Sequence, residues 1–113
     1  MIIKDLKNQG MYELVNWGIE CGGGWRDLLD NMTDEIKKVF PEMKFTQIKE
    51  KFGTLRAYCA GAPNEVHEII EKYEEISAVT CEACGKPGVL YGKSWYKVRC
   101  KDCRRKESGR NNG

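Results

Sequence analysis

Trp25, Leu28, Leu29, Met32, Ile36, Val39 and Phe40 recur at steps of three and four, the spacing that collects apolar side chains on one face of an α-helix. Asp27 falls in the first turn and Lys37 and Lys38 in the last, which suits the helix dipole, and Pro41 has no N–H with which to continue. The pattern predicts a helix over 25–40. A second stripe, Val66, Ile69, Ile70, Tyr73, Ile76 and Val79, follows the breakers Gly61, Pro63 and Asn64 and predicts a helix over 64–78. Its other face, Glu65, Glu68, Glu71, Glu74 and Glu75, reads as solvated surface, with contact to a basic partner as the alternative.

Between these helices Phe45–Cys59 is rich in β-branched and aromatic residues, with Gly53 near its middle, and reads as a β-hairpin that turns at or beside that glycine. Val89-Leu90-Tyr91 and Trp95–Arg99 flank Gly92-Lys93-Ser94 and predict a second hairpin. Residues 1–16 carry no sustained period, although Met11–Val15 suits a short strand or helical turn. After Cys103 no apolar residue remains to anchor the chain, so a frayed tail is expected. The expected fold class is α+β: two helices and a β-hairpin in a body over 1–80, a zinc-ribbon-like hairpin over 81–103 packed on it, and a basic disordered tail over 104–113.

Composition narrows the class. The chain has 113 residues, 41% hydrophobic and 32% charged, which suits one domain with one modest core and excludes two full domains. A net charge of +2 argues against a general nucleic-acid coat, but it hides an asymmetry. Residues 1–80 carry ten basic and fourteen acidic side chains, a balance of −4, while residues 81–113 carry nine and three, a balance of +6. A basic end on an acidic body fits contact with phosphate, contact with differently charged surfaces of a protein partner, or solubility alone. No apolar run approaches the roughly 18 residues that span a bilayer, and Lys4 and Asp5 interrupt what a signal peptide would need as its apolar core. The expected location is cytoplasmic, with no membrane contact.

Six cysteines supply the clearest chemistry. Cys81-Glu82-Ala83-Cys84 and Cys100-Lys101-Asp102-Cys103 are two CxxC pairs with fifteen residues between them, a spacing suited to a four-cysteine zinc site. In a reducing cytosol such clusters are metal ligands more often than disulfides or redox pairs, and Gly85 and Gly88 give the first pair the freedom to turn. Four thiolates close the shell of a Zn²⁺ ion and leave no place for water, so this zinc would hold structure and catalyse nothing. Cys21 and Cys59 lie outside the pattern and read as small core residues.

A second candidate site is the first hairpin. Alternation puts Lys49 and Lys51 on one face, with Arg56 on the other arm, so this face could meet an anion or a partner unless Glu50 or Glu20 neutralises it. Trp17 and Trp25 are candidate contact aromatics beside it, and Trp95 a third. Catalysis has little support: one histidine, no defensible Ser/His/Asp set and no phosphate-binding loop. Gly22-Gly23-Gly24 before a helix could bind an anion, and Glu20 with Asp27 could hold a divalent ion, but each signal is weak alone. A non-enzymatic protein is expected.

The segments Trp17-Gly18-Ile19-Glu20-Cys21-Gly22-Gly23-Gly24-Trp25, Gln47–Tyr58, Cys81–Gly88 and Cys100–Cys103 together resemble a group of small bacteriophage and prophage proteins with a C-terminal four-cysteine zinc-ribbon-like motif. In that group aspartate often stands where this chain has Gly23, so no acidic role is carried over to that position. The resemblance implies a phage or mobile-element origin, the cytoplasm of a bacterial host, and action by binding and inhibiting a host protein such as an antiviral-defence component, in the manner of an anti-CRISPR protein. The alternatives are a nucleic-acid-binding accessory protein using the basic ribbon, and a small-anion or nucleotide binder using Lys49, Lys51 and Arg56.

Overall fold

A computed structural model describes residues 6–15, 19–92 and 96–112, with Glu20 and residues 107–112 described in backbone alone. The helices are α1 (Arg26–Val39), α2 (Asn64–Ser77) and α3 (Lys101–Asn112), and the strands are β1 (Ile19–Glu20), β2 (Phe45–Lys51), β3 (Thr54–Cys59), β4 (Val89–Tyr91) and β5 (Lys97–Arg99). Short 3-10 turns occupy Gln9–Tyr12 and Gly23–Trp25. The fold is α+β.

β2 and β3 form the expected antiparallel hairpin, with Lys49 opposite Arg56 and Lys51 opposite Thr54. Its two-residue turn is Phe52-Gly53, with φ of +54° and +87°, the left-handed pair that matches strand twist. β1 adds in parallel to the other side of β2, pairing Ile19 with Ile48. This strand is too short to leave a period in the sequence.

Leu28, Leu29, Met32 and Ile36 of α1 share one core with Phe45, Ile48 and Leu55 of the sheet, which Trp25, Val66, Ile70 and Tyr73 complete. Tyr12 from the first 3-10 turn stacks on Phe45 at 5.2 Å. α2 also closes the sheet edge. The Leu55 N–H donates to Ser77 Oγ at 2.9 Å and the Ala57 N–H to Glu74 Oε2 at 3.2 Å, so helix side chains satisfy strand donors that would otherwise face solvent. That use of Ser77 explains a departure from the expected stripe. Ser77 is buried at the end of α2, while Ile76 and Val79 are exposed, because the helix presents a hydroxyl to the sheet edge at this point.

The two helices are also clamped across their outer faces. Glu35 on α1 accepts from Lys72 Nζ at 2.6 Å and from the Tyr73 hydroxyl on α2. The lysine hydrogen bond, then the tyrosine, hold the Glu35 carboxyl below its ordinary range. Burial first, and Glu35 second, push the Tyr73 hydroxyl up to about 12.

The C-terminal region differs from the expected frayed tail: its backbone is helical over Lys101–Asn112. The reason lies at its start. The Arg104 N–H donates to Cys100 O at 3.0 Å and the Cys103 N–H to Cys100 Sγ at 3.4 Å, so the second cysteine pair forms the helix's first turn and removes the cost of nucleation. Arg104 then lies over the Tyr91 ring at 4.4 Å, tying α3 to β4.

Candidate metal centre and charged surfaces

Each cysteine pair is shaped by local backbone bonding. After α2 the chain bridges Thr80 to Pro87, and within that bridge the Cys81 N–H donates to Lys86 O and the Gly85 N–H to Cys81 O, both at 2.8 Å. This tight loop presents Cys81 and Cys84 together. Cys100 leaves β5, and Cys103 stands one helical turn later on α3.

The four sulfurs lie within 4.8 Å of one another, and Cys84 Sγ is 3.5 Å from Cys100 Sγ. A tetrahedron with metal–sulfur bonds of about 2.3 Å has edges of about 3.8 Å, so the cluster is of the right size to hold a metal ion. Cys81 and Cys100 are buried and Cys84 is exposed, which leaves the group at the surface with one side open for entry. Burial opposes ionisation of Cys81, but N–H groups of Cys100, Cys84 and Ala83 aimed at its sulfur outweigh it and bring the thiol down to about 7. The Cys103 N–H likewise lowers Cys100, whereas hydrogen bonding with Cys100, followed by burial, pushes Cys103 up to about 12.

The lobe that carries this cluster has almost no core of its own. Among the described residues from Cys81 onward, only Cys81, Val98 and Cys100 are buried, and its strands are three residues each. It is fastened to the body by contacts of Glu82, which no local sequence pattern announces. Glu82, between the first two cysteines, accepts from the Gly22 N–H through Oε2 at 2.8 Å and lies 3.6 Å from Arg99 through Oε1, while its carbonyl accepts from the Gly24 N–H at 2.7 Å. A Cβ on Gly24 would stand 2.4 Å from Cys81 O and 2.6 Å from Cys84 N. The glycine run, read in the sequence as a weak anion site, is the seat on which the first cysteine loop rests.

Trp25 requires a correction. It is fully buried, with Nε1 donating to Thr80 O at 3.0 Å, so it is a core anchor joining body to lobe and offers no contact surface. The reason is its place at the head of α1, where the indole fills the space between the helix and the chain leaving α2. Trp17 lies outside the described residues, as does Trp95.

Lys49 and Arg56 face each other across the hairpin, but they are engaged differently. Lys49 Nζ lies 5.9 Å from the Tyr58 ring centre and Lys51 Nζ 5.6 Å from that of Phe52, while Arg56 borders an open groove with Glu68, Glu71, Glu74 and Glu75 of α2. Glu50 does not neutralise the lysines; its Oε2 accepts the Gly53 N–H at 2.7 Å and stabilises the turn. Cys21 is in the core, where burial pushes its thiol up to about 12, and Cys59 is half-buried against the same core. Among the described residues no helix is long and apolar enough to cross a membrane. No family model, curated protein or solved structure matches the chain.

Proposed function

We propose that this chain is a zinc-stabilised binding module with no chemistry of its own. The observation that carries the reading is the convergence of Cys81, Cys84, Cys100 and Cys103 at the base of a lobe too small to hold itself together. An all-sulfur, four-ligand set selects Zn²⁺ over Mg²⁺ or Ca²⁺, which take oxygen, and it leaves no coordination position for a substrate. Metal analysis of the purified full chain should return about one zinc per chain, and Co²⁺ substitution should give the absorption of a tetrahedral thiolate site. Protein purified under reducing conditions without metal, with either CxxC pair oxidised to a disulfide, would overturn the reading.

The partner we infer is a protein of a bacterial host, masked or inhibited by a small phage-type protein acting in the host cytoplasm. The sequence resemblance supports this, together with the outer face of the β2–β3 hairpin. There Lys49, Lys51 and Arg56 are carried on paired strands next to exposed Tyr58 and Phe52, the latter 64% exposed. Phe52 holds a left-handed backbone that costs a non-glycine residue about 1–2 kcal/mol. An exposed aromatic at a strained tip suits a contact residue.

A further inference from the structure

Beyond the metal centre and the hairpin, the C-terminal lobe has an open groove of about 580 Å³ bordered by Pro87, Val89, Arg99, Lys101, Arg104 and Arg105. Arg99 comes from β5 and the other three cations from α3, where positions 101, 104 and 105 share one helix face. The helix that replaces the expected frayed tail is thus what gathers these cations. Their charge exceeds what the metal needs. The segment 81–113 has nine basic and three acidic side chains, and zinc bound by four thiolates would subtract only two from its balance of +6.

The groove is not uniformly ionic. Val89 on its wall is 60% exposed, Pro87 lies beside it, and Arg104 Cζ stands 4.4 Å from the Tyr91 ring centre. Cations next to exposed apolar groups suit a ligand that repeats an anion and a flat ring. We propose that this groove binds single-stranded nucleic acid, with Lys101, Arg104 and Arg105 on the phosphodiester backbone and the Pro87–Val89 wall beneath a sugar or base. An acidic peptide would satisfy the cations and leave the wall uncovered. A duplex would meet the cations with its phosphates, but its stacked bases would leave the Pro87–Val89 wall uncovered.

The test is the anisotropy of an end-labelled oligothymidylate of about ten nucleotides, a length within the site size of small single-strand binders, titrated with the zinc-loaded full chain. Three phosphate contacts should make affinity fall about 20-fold between about 50 and about 200 mM salt. Lys101→Gln and Arg105→Gln, both at exposed positions, should each weaken binding and flatten the log–log salt slope by about 0.7. Lys38→Gln, at an exposed position of α1, should leave both unchanged. Metal analysis of the same samples separates a lost lobe from a lost groove. The proposal is overturned if the zinc-loaded chain does not bind, if neither groove variant changes the slope, or if a duplex of the same sequence or polyglutamate at equal charge displaces the strand as well as unlabelled oligothymidylate does.

Discussion

Gly23 and Gly24 are neighbours of identical chemistry with opposite surroundings. A Cβ on Gly23 meets nothing within 4 Å, whereas one on Gly24 would overlap three backbone atoms of the first cysteine loop. Backbone cannot move aside as a flexible side chain can, so Gly24→Ala should cost about 1–3 kcal/mol, the usual penalty of overpacking. Gly23→Ala should stay within about 0.5 kcal/mol of the parent. Chemical denaturation of the zinc-loaded proteins checks both, and equal effects would show that the loop does not rest on Gly24. Glu82 illustrates the same point by another means, since one side chain serves a glycine N–H on the body and an arginine on the lobe.

At the scale of elements, the body and the lobe rest on different forces. α1 and α2 share a continuous apolar core, while the lobe depends on its cysteine cluster and on its seat against Gly22 and Gly24. Cys81→Ser removes one of the four donors proposed to hold zinc, a bond set that contributes on the order of 10 kcal/mol in small zinc domains. The expected outcome is loss of order over β4, β5 and α3 with α1 and α2 retained, read as residue-resolved amide exchange. Collapse of protection in α1 as well would show that the metal supports the whole chain.

The α1–α2 clamp has its own signature in pH. Glu35 ionises more readily in the folded protein than the ordinary value of about 4.5, because Lys72 and Tyr73 donate to it. As pH falls through that value the unfolded chain takes up a proton before the folded one does, so the stabilisation present at neutral pH is lost on the acid side. Thermal unfolding of the parent and of Glu35→Gln should therefore differ most near neutrality and converge as the solution is acidified. A gap that is constant with pH would remove the carboxylate from the account.

For the whole molecule, the opposed charges of the two ends imply two surfaces with separable roles. Arginine on a rigid hairpin makes paired hydrogen bonds at little entropic cost, so Arg56→Ala should weaken capture of the proposed protein partner by about 1–3 kcal/mol without a change in fold. Truncation after Cys103 should leave that capture nearly intact and remove Arg104 and Arg105 from the groove. Capture assays with both variants distinguish the surfaces. If the truncated chain loses its protein partner while Arg56→Ala keeps it, the hairpin is not the contact and the C-terminal helix is.

What was legible in the sequence follows from the range of the interactions concerned. The stripes of α1 and α2, the breakers around them and the turn at Gly53 are local patterns, so their elements fall within a residue or two of the expected limits. The CxxC pairs are local as well, and their spacing alone grouped the four sulfurs that the fold brings together. Other features depend on contacts distant in sequence. β1 exists because β2 offers it an edge, Trp25 is buried because the chain leaving α2 passes over it, and Ser77 displaces Ile76 from the interior because a strand edge needs an acceptor there. Helix α3 has no apolar stripe to announce it; it starts on a turn that the second cysteine pair builds. Glycine without a period is ambiguous in one dimension, and only the approach of the loop at Cys81–Cys84 distinguishes the structural Gly24 from the unconstrained Gly23.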